Sequence, residues 1–139
     1  MLAKNIIRHV NIKTIKTIKT IHTISVSFIN KNNTFEKTLH IKEGTNMLEA
    51  AHENNIELEG ACEGGLACST CHLIVADKEY YDKIPVANEQ EEDMLDLAYD
   101  LTDTSRLGCQ IKATKEISGI KFIIPNSTRN IMVDKLKIK

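Results

Sequence analysis

The stretch CEGGLACSTC, residues Cys62–Cys71, decides the character of this chain of 139 residues. It holds three of the four cysteines. Five residues separate Cys62 from Cys68, and two separate Cys68 from Cys71. The fourth cysteine, Cys109, stands far along the chain, after 37 intervening residues. Thiols grouped in this way serve disulfides or metal sites, so the loop predicts one or the other.

Three uses of the four thiols compete. Disulfides need an oxidising compartment, and no apolar secretory signal begins this chain. Zinc usually takes two separate pairs of ligands with short internal spacing, which matches three cysteines on one loop poorly. Plant-type [2Fe–2S] ferredoxins take three cysteines from one loop and a fourth from far away, with four residues in the first gap. The spacing favours an iron–sulfur cluster and leaves zinc as the alternative.

Small residues between the cysteines support the cluster. An oxidised [2Fe–2S] group with four thiolates carries a charge of roughly −2, which backbone N–H groups aimed at sulfur would offset. A loop must wrap tightly to aim them. Gly64 and Gly65 permit the left-handed conformation, and Ala61, Ala67 and Ser69 add little bulk.

The chain predicts an α+β fold. Apolar and polar residues alternate from His22 to Ile29, and a second strand over Phe35 to Ile41 follows a turn. Asn46 with Glu49 predicts a capped helix. Further elements are expected in this order: a strand over Cys71 to Ala76, a helix from Glu89 to about Ala98, and strands over Leu107 to Ala113 and Gly119 to Ile124, stopped by Pro125.

A net charge of −1 hides a division into a basic head, an acidic middle and a basic end. Residues 1–35 carry +6, residues 43–103 carry −14 and residues 104–139 carry +6. The acidic middle argues against nucleic-acid binding. No apolar run has the roughly 18 residues that a membrane span needs.

The ends differ in composition from the body. Residues 1–21 are basic, free of acids and repeat Ile-Lys-Thr, which is typical of an organellar transit peptide. The alternative is a disordered basic leader without a targeting role. Residues 22–126 form the predicted domain, and residues 127–139 form a basic tail. Loss of residues 1–21 would change the net charge to −6.

The helix predicted from Glu89 carries acids on one face only. At 100° per residue the acids fall within one 100° arc: Glu89, Glu92, Asp93, Asp96, Asp100 and Asp103. Asp100 and Asp103 belong to this face only if the helix continues past Ala98, which the polar run after Leu101 disfavours. The apolar residues fall on the other side and are expected to face the core: Met94, Leu95, Leu97, Ala98 and Leu101. Like charges three or four residues apart destabilise a helix, so an unmixed acidic face favours docking of a basic partner.

The motifs resemble a known family. The run Cys62–His72 and the stretch EEDMLDLAYDLTDTSRLGCQI, residues Glu91–Ile111, are similar to the adrenodoxin-type, or mitochondrial-type, [2Fe–2S] ferredoxins. Matching features include the cysteine spacing, the run Cys-Ser-Thr-Cys-His and the run Ser-Arg-Leu-Gly-Cys-Gln. The resemblance covers about residues 22–126 and implies a β-grasp fold with a mixed sheet, a packed helix and a cysteine-rich cluster loop.

The resemblance also implies roles for particular residues. Cys62, Cys68, Cys71 and Cys109 would hold the cluster. His72 would bond nearby backbone and tie the loop to the body. Independently of the resemblance, the position of Arg106 near Cys109 suggests that it screens cluster charge or pairs with an acid, and the alternative is an ordinary surface arginine. Partner docking would use residues of the acidic helix and its end: Asp93, Asp96, Glu92, Glu89 and Tyr99.

The function that the resemblance implies is one-electron transfer without bond chemistry on a substrate. A monomeric carrier in the mitochondrial matrix, or a related organelle, would take electrons from an NADPH-dependent ferredoxin reductase. Iron–sulfur cluster assembly is the first expected acceptor, and a mitochondrial cytochrome P450 is the second. A structural zinc module that binds a protein partner is the alternative from another class.

Overall fold

The first two strands follow the alternation of the sequence. In a computed structural model of the protein, which describes residues 21–126, β1 (Thr23–Asn30) and β2 (Glu36–Lys42) form an antiparallel hairpin. Ile24, Val26 and Phe28 of β1 are buried on one face. Ser27 on the opposite face is also buried, and its hydroxyl lies 2.8 Å from that of Thr38. The expected transit peptide, except Ile21, and the expected tail lie outside the described residues.

A mixed sheet of five strands, ordered β2-β1-β5-β3-β4, organises the described residues. The remaining strands are β3 (His72–Val75), β4 (Ser105–Leu107) and β5 (Ile120–Ile124). The pair β1 and β5 is parallel, and the other neighbours are antiparallel. Phe28 and Phe122 are partners in the parallel register, and their ring centroids lie 5.6 Å apart in the core.

Among residues 21–126 there are three α-helices, α1 (Met47–Glu53), α2 (Lys78–Tyr81) and α3 (Glu89–Leu95), and two 3₁₀ turns, Gly108–Gln110 and Lys115–Ile117. The predicted cap of α1 is present, because the Asn46 side chain accepts a hydrogen bond from Glu49 N. Met47, Leu48, Ala50 and Ala51 bury one side of this helix. No helix among residues 21–126 combines the length and the apolar character that crossing a bilayer requires.

The structure corrects two predicted elements and adds a third element. Helix α2 was not predicted from the sequence. Helix α3 ends at Leu95 rather than near Ala98. The strand expected over Leu107 to Ala113 is instead β4 followed by a 3₁₀ turn, Gly108–Gln110, and Lys112 makes only an isolated bridge to Asn46. An apolar run does not distinguish a strand from a tight turn that buries the same residues.

Candidate metal centre

Pairing of β3 with β4 joins the distant cysteine to the loop. His72 is the register partner of Leu107, so Cys71, just before β3, lies beside the turn that carries Cys109. Gly108 N donates a 2.9 Å hydrogen bond to Cys71 O. A Cβ at Gly108 would lie 3.1 Å from that same oxygen, and therefore glycine permits the close approach.

The four thiols are free and interact in two pairs. The Cys68 side chain lowers the pKa of Cys62, and the side chains of Cys71 and Cys109 shift each other's pKa in opposite directions. The interaction with Cys71 lowers the pKa of Cys109 to about 6, against the opposing effect of burial. The same interaction, together with burial, raises the pKa of Cys71. The Cys71 thiol thus stabilises the thiolate form of Cys109.

The loop wraps because its backbone is left-handed at three positions. The φ angles are 52° at Glu63, 86° at Gly64 and 54° at Leu66. Burial would raise the pKa of Cys62, but hydrogen bonds from the Cys68 side chain and from loop backbone N–H groups lower it. Gly65 does not adopt the left-handed conformation that the sequence suggested. A Cβ there would instead lie 3.2 Å from Cys62 O.

Two hydroxyl groups in the loop are placed to donate hydrogen bonds to sulfur. Thr70 Oγ1 accepts a 2.9 Å hydrogen bond from Ala61 N and lies 3.2 Å from Cys68 Sγ, so its proton is available to that sulfur. Ser69 Oγ is buried and has no hydrogen-bond partner among the described residues. Because an unpaired buried hydroxyl is costly, its presence here fits a bound group that accepts hydrogen bonds.

The donor set suits a group with two metal ions better than a single ion. Within residues 21–126, no three side chains of His, Cys, Asp or Glu are grouped closely enough to hold one metal ion. The cysteines instead form two pairs, each able to supply two thiolates. Four thiolates, backbone N–H groups and hydroxyl donors are the environment that a [2Fe–2S] cluster requires.

His72, the residue after Cys71, connects the end of the cysteine loop to the body of the protein. The side chain is buried, and its Nε2 lies 2.6 Å from Ser105 Oγ. Burial lowers the pKa of His72, while a backbone hydrogen bond with Tyr99 and the charge of Asp100 act in the opposite direction. Ser105 Oγ in turn accepts a hydrogen bond from Thr102 N at 2.9 Å. This chain of contacts links the residue after Cys71 to the segment that follows α3.

The sequence left open whether Arg106 screens cluster charge or pairs with an acid. In the structure, Arg106 is buried and paired with an acid. Its partner, Glu91, was not singled out in the sequence. The signal was available: on the helical wheel, Glu91 falls at 160° from Asp93, inside the apolar arc. An acid on the buried side of a helix needs a cationic or hydrogen-bonding partner.

The acidic helix exposes the side chains that the sequence placed on its polar face. Glu89, Glu92, Asp93 and Asp96 are exposed, and Tyr99 is 53% exposed. The prediction that Leu97 and Leu101 face the core is wrong, since these side chains are 44% and 47% exposed. Asp100, whose φ is 62°, cannot continue the helix, and it forms an ion pair with Lys31. The rotation of 100° per residue therefore predicts side-chain orientation only within α3, which ends at Leu95.

Comparison with known proteins gives a family match and curated relatives. Residues 29–114 match the family model described as a 2Fe-2S iron-sulfur cluster binding domain. "Adrenodoxin-like protein 2, mitochondrial" of Arabidopsis thaliana is 57% identical over 112 residues, covering 79% of this chain and 55% of the relative. The match thus spans about half of that plant protein. A 2Fe-2S ferredoxin of Rickettsia bellii is 57% identical over 100 residues, covering 72% of this chain and 89% of the relative.

Solved structures agree with these matches. A reduced cysteine-to-serine variant of putidaredoxin from Pseudomonas putida has a TM-score of 0.71 at 34% identity, covering 76% of this chain and 99% of that one. An ISC-like [2Fe-2S] ferredoxin from Pseudomonas putida has a TM-score of 0.66 at 40% identity, covering 77% and 96%. A chain of the covalent putidaredoxin reductase–putidaredoxin complex has a TM-score of 0.67 at 36% identity, covering 74% and 99%.

Proposed function

Because this chain belongs to the adrenodoxin-type [2Fe–2S] ferredoxins, we propose that it carries single electrons from an NADPH-dependent flavoprotein reductase to acceptor proteins. The protein binds a [2Fe–2S] cluster, and ferredoxins of this family are electron carriers rather than enzymes. The observation that carries the proposal is the register of β3 with β4, in which the hydrogen bond from Gly108 N to Cys71 O places Cys109 beside a loop that already holds three thiols.

The pairing of the thiols supports an assignment of the cluster ligands. Cys62 and Cys68 would hold one iron, and Cys71 and Cys109 would hold the other. When bound, the cluster supplies a site that accepts and releases one electron. The protein residues orient the thiolates, donate hydrogen bonds from the loop backbone and from Thr70, and exclude water from Cys71, which is 1% exposed.

The acidic face of α3 is proposed as the surface that contacts the reductase. Asp93 and Asp96 are its leading residues, flanked by Glu89, Glu92 and Tyr99. All five are exposed, and the exposed surface of α3 carries no positive side chain. The covalent complex of putidaredoxin with its reductase supports a reductase as one partner. Opposite charges speed encounter while still allowing release, and a carrier with two successive partners requires both.

The proposed location is the mitochondrion, and the first proposed acceptor is the iron–sulfur cluster assembly complex. The location rests on the basic, acid-free residues 1–21 and on similarity to adrenodoxin-like proteins named as mitochondrial. The acceptor rests on the resemblance to the family, for which cluster assembly is the broadest role. Bacterial ferredoxins of Rickettsia are also similar to this chain, so the mitochondrial location is tested separately from the electron-transfer function.

Purified protein tests the cofactor and its ligands. We expect brown protein containing equal amounts of iron and sulfide, with a visible spectrum that bleaches reversibly on uptake of one electron per chain. Each of the substitutions Cys62→Ser, Cys68→Ser, Cys71→Ser and Cys109→Ser should abolish or alter that spectrum. Colourless protein with stoichiometric zinc would contradict the proposal and support a structural zinc module.

Reconstitution tests the partners. The holoprotein is supplied with NADPH and an adrenodoxin-type reductase, and it is offered either a cysteine-desulfurase scaffold complex or a mitochondrial cytochrome P450. Turnover of the scaffold complex is expected, and turnover of the P450 alone would reverse the order of the two acceptors. Import into isolated mitochondria tests the proposed location. The full chain is expected to enter and to lose an N-terminal segment. Failure to enter would contradict it.

A further inference from the structure

Cys109 lies beside a surface cavity rich in carboxylates. The cavity has a volume of about 360 Å³, and its walls include Glu49, Glu53 and Glu63 together with Gly64 and Cys109. Negative charge near a thiolate disfavours the addition of an electron to the metal that it binds. This edge of the site therefore needs hydrogen-bond donors if a cluster there is to be reduced readily.

One side chain supplies such a donor directly to the sulfur. Gln110 Nε2 donates a hydrogen bond to Cys109 Sγ across 3.3 Å. In the described part of the chain, no other side-chain amide is found in contact with a cysteine sulfur. A donor aimed at a thiolate withdraws electron density from it and thereby stabilises the reduced, more negative state of a bound cluster.

The backbone holds Gln110 in this position. It ends the 3₁₀ turn Gly108–Gln110, which is anchored by the hydrogen bond from Gly108 N to Cys71 O. Ile111, the next residue, is fully buried, and its carbonyl accepts a 3.0 Å hydrogen bond from Met47 N. Because both ends of the turn are held by backbone hydrogen bonds, the start of the Gln110 side chain is fixed next to Cys109.

We infer that Gln110 is a positioning residue for electron transfer, whose side-chain amide donates a hydrogen bond to Cys109 and raises the reduction potential of the cluster. The inference rests on the proposed function, in which Cys109 is a ligand. It extends that function by assigning the potential in part to a side chain outside the four cysteines.

Redox titration of the full-length holoprotein tests this inference. Gln110→Met keeps the length of the side chain and removes the donor, and Gln110→Glu replaces it with a negative charge. At the wild-type midpoint, we expect the ratio of reduced to oxidised cluster to fall at least threefold in both variants. This is about 28 mV, at 59 mV per tenfold for one electron. Gln90→Glu makes the same charge change at an exposed residue of α3 and should leave the ratio unchanged.

The outcomes separate this inference from the proposed function. A wild-type protein with a [2Fe–2S] spectrum and an unmoved midpoint in Gln110→Met would overturn the role of Gln110 alone. An equal shift in Gln90→Glu and Gln110→Glu would also overturn it. A wild-type chain without the cluster spectrum would overturn the proposed function and this inference together. If Gln110→Met fails to assemble a cluster, Gln110→Asn, whose amide is one methylene shorter, is expected to lower the midpoint in its place.

Discussion

Glu91 and Arg106 form a buried, bidentate ion pair that ties the acidic helix to β4. Arg106 Nε lies 2.8 Å from Glu91 Oε1, and Nη2 lies 3.0 Å from Oε2. Their side chains are 2% and 4% exposed, respectively. Leu107 N also donates to Glu91 Oε1 at 3.0 Å, and Arg106 Nη1 donates to Pro85 O. The pair connects the proposed docking surface to the strand that leads to Cys109.

Removal of one member of this pair should destabilise the protein strongly. Glu91→Gln would leave the Arg106 charge buried without its counterion, which typically costs about 3–5 kcal/mol. Urea unfolding of the holoprotein measures the loss, with Glu92→Gln on the exposed side of α3 as the matched control. The control should change stability by less than about 0.5 kcal/mol. Equal effects of the two substitutions would show that the pair is not buried.

The position at which α3 ends gives a second prediction. Leu95 is buried and Leu97 is 44% exposed, although they stand only two residues apart. Leu95→Ala should cost about 2–5 kcal/mol because it opens a cavity in the core. Leu97→Ala should cost less than about 0.5 kcal/mol. Thermal or urea unfolding compares the stabilities of the two variants. A large loss of stability in Leu97→Ala would contradict the observed end of α3 and favour the longer helix that the sequence predicted.

Charge reversal on the acidic face should weaken coupling to the reductase. Asp96→Lys is expected to lower kcat/KM for reduction by an adrenodoxin-type reductase on the order of tenfold at low ionic strength, because it replaces attraction with repulsion. The effect should shrink as salt is added. Glu43→Lys makes the same charge change on an exposed residue after β2 and serves as the control.

Both variants must keep the visible spectrum of the cluster for this comparison to concern docking. Coupling that stays at the wild-type rate in Asp96→Lys would remove α3 from the proposed docking surface. Equal losses in Asp96→Lys and Glu43→Lys would indicate a response to overall charge rather than to a defined surface.

Thr70 provides a fourth prediction. Thr70→Val keeps the shape of the side chain but leaves Ala61 N without its acceptor and Cys68 Sγ without a hydroxyl donor. Loss of a buried hydrogen bond of this kind costs about 1–3 kcal/mol. We expect faster loss of the cluster to a chelator, followed by bleaching of the visible spectrum. Thr23→Val at the exposed start of β1 is the control, and identical bleaching rates would argue against the contact.

Much of the fold could be predicted because its signals are local. Alternation over β1 and β2, the Asn46 cap of α1 and the stop at Pro125 all depend on residues within a few positions of one another. The extent of α3 could not be predicted in the same way. Leu97 and Leu101 continue the apolar periodicity, but Asp100 adopts a left-handed conformation and forms an ion pair with Lys31, a residue 69 positions earlier. A periodic pattern contains no information about such a partner.

The sequence by itself determined the chemistry of the site: four thiols, three of them on one tightly wrapping loop, beside a helix whose exposed surface is acidic. Residue types and short spacings are sufficient for this, because ligand preference and helical periodicity are local properties. Only the tertiary structure decided which groups meet. Cys109 reaches Cys71 through the register of β3 with β4, and Glu91 finds Arg106 across 15 positions. The reason is physical: burial makes an unpaired charge or donor costly, and packing of the whole chain selects the partner that removes this cost.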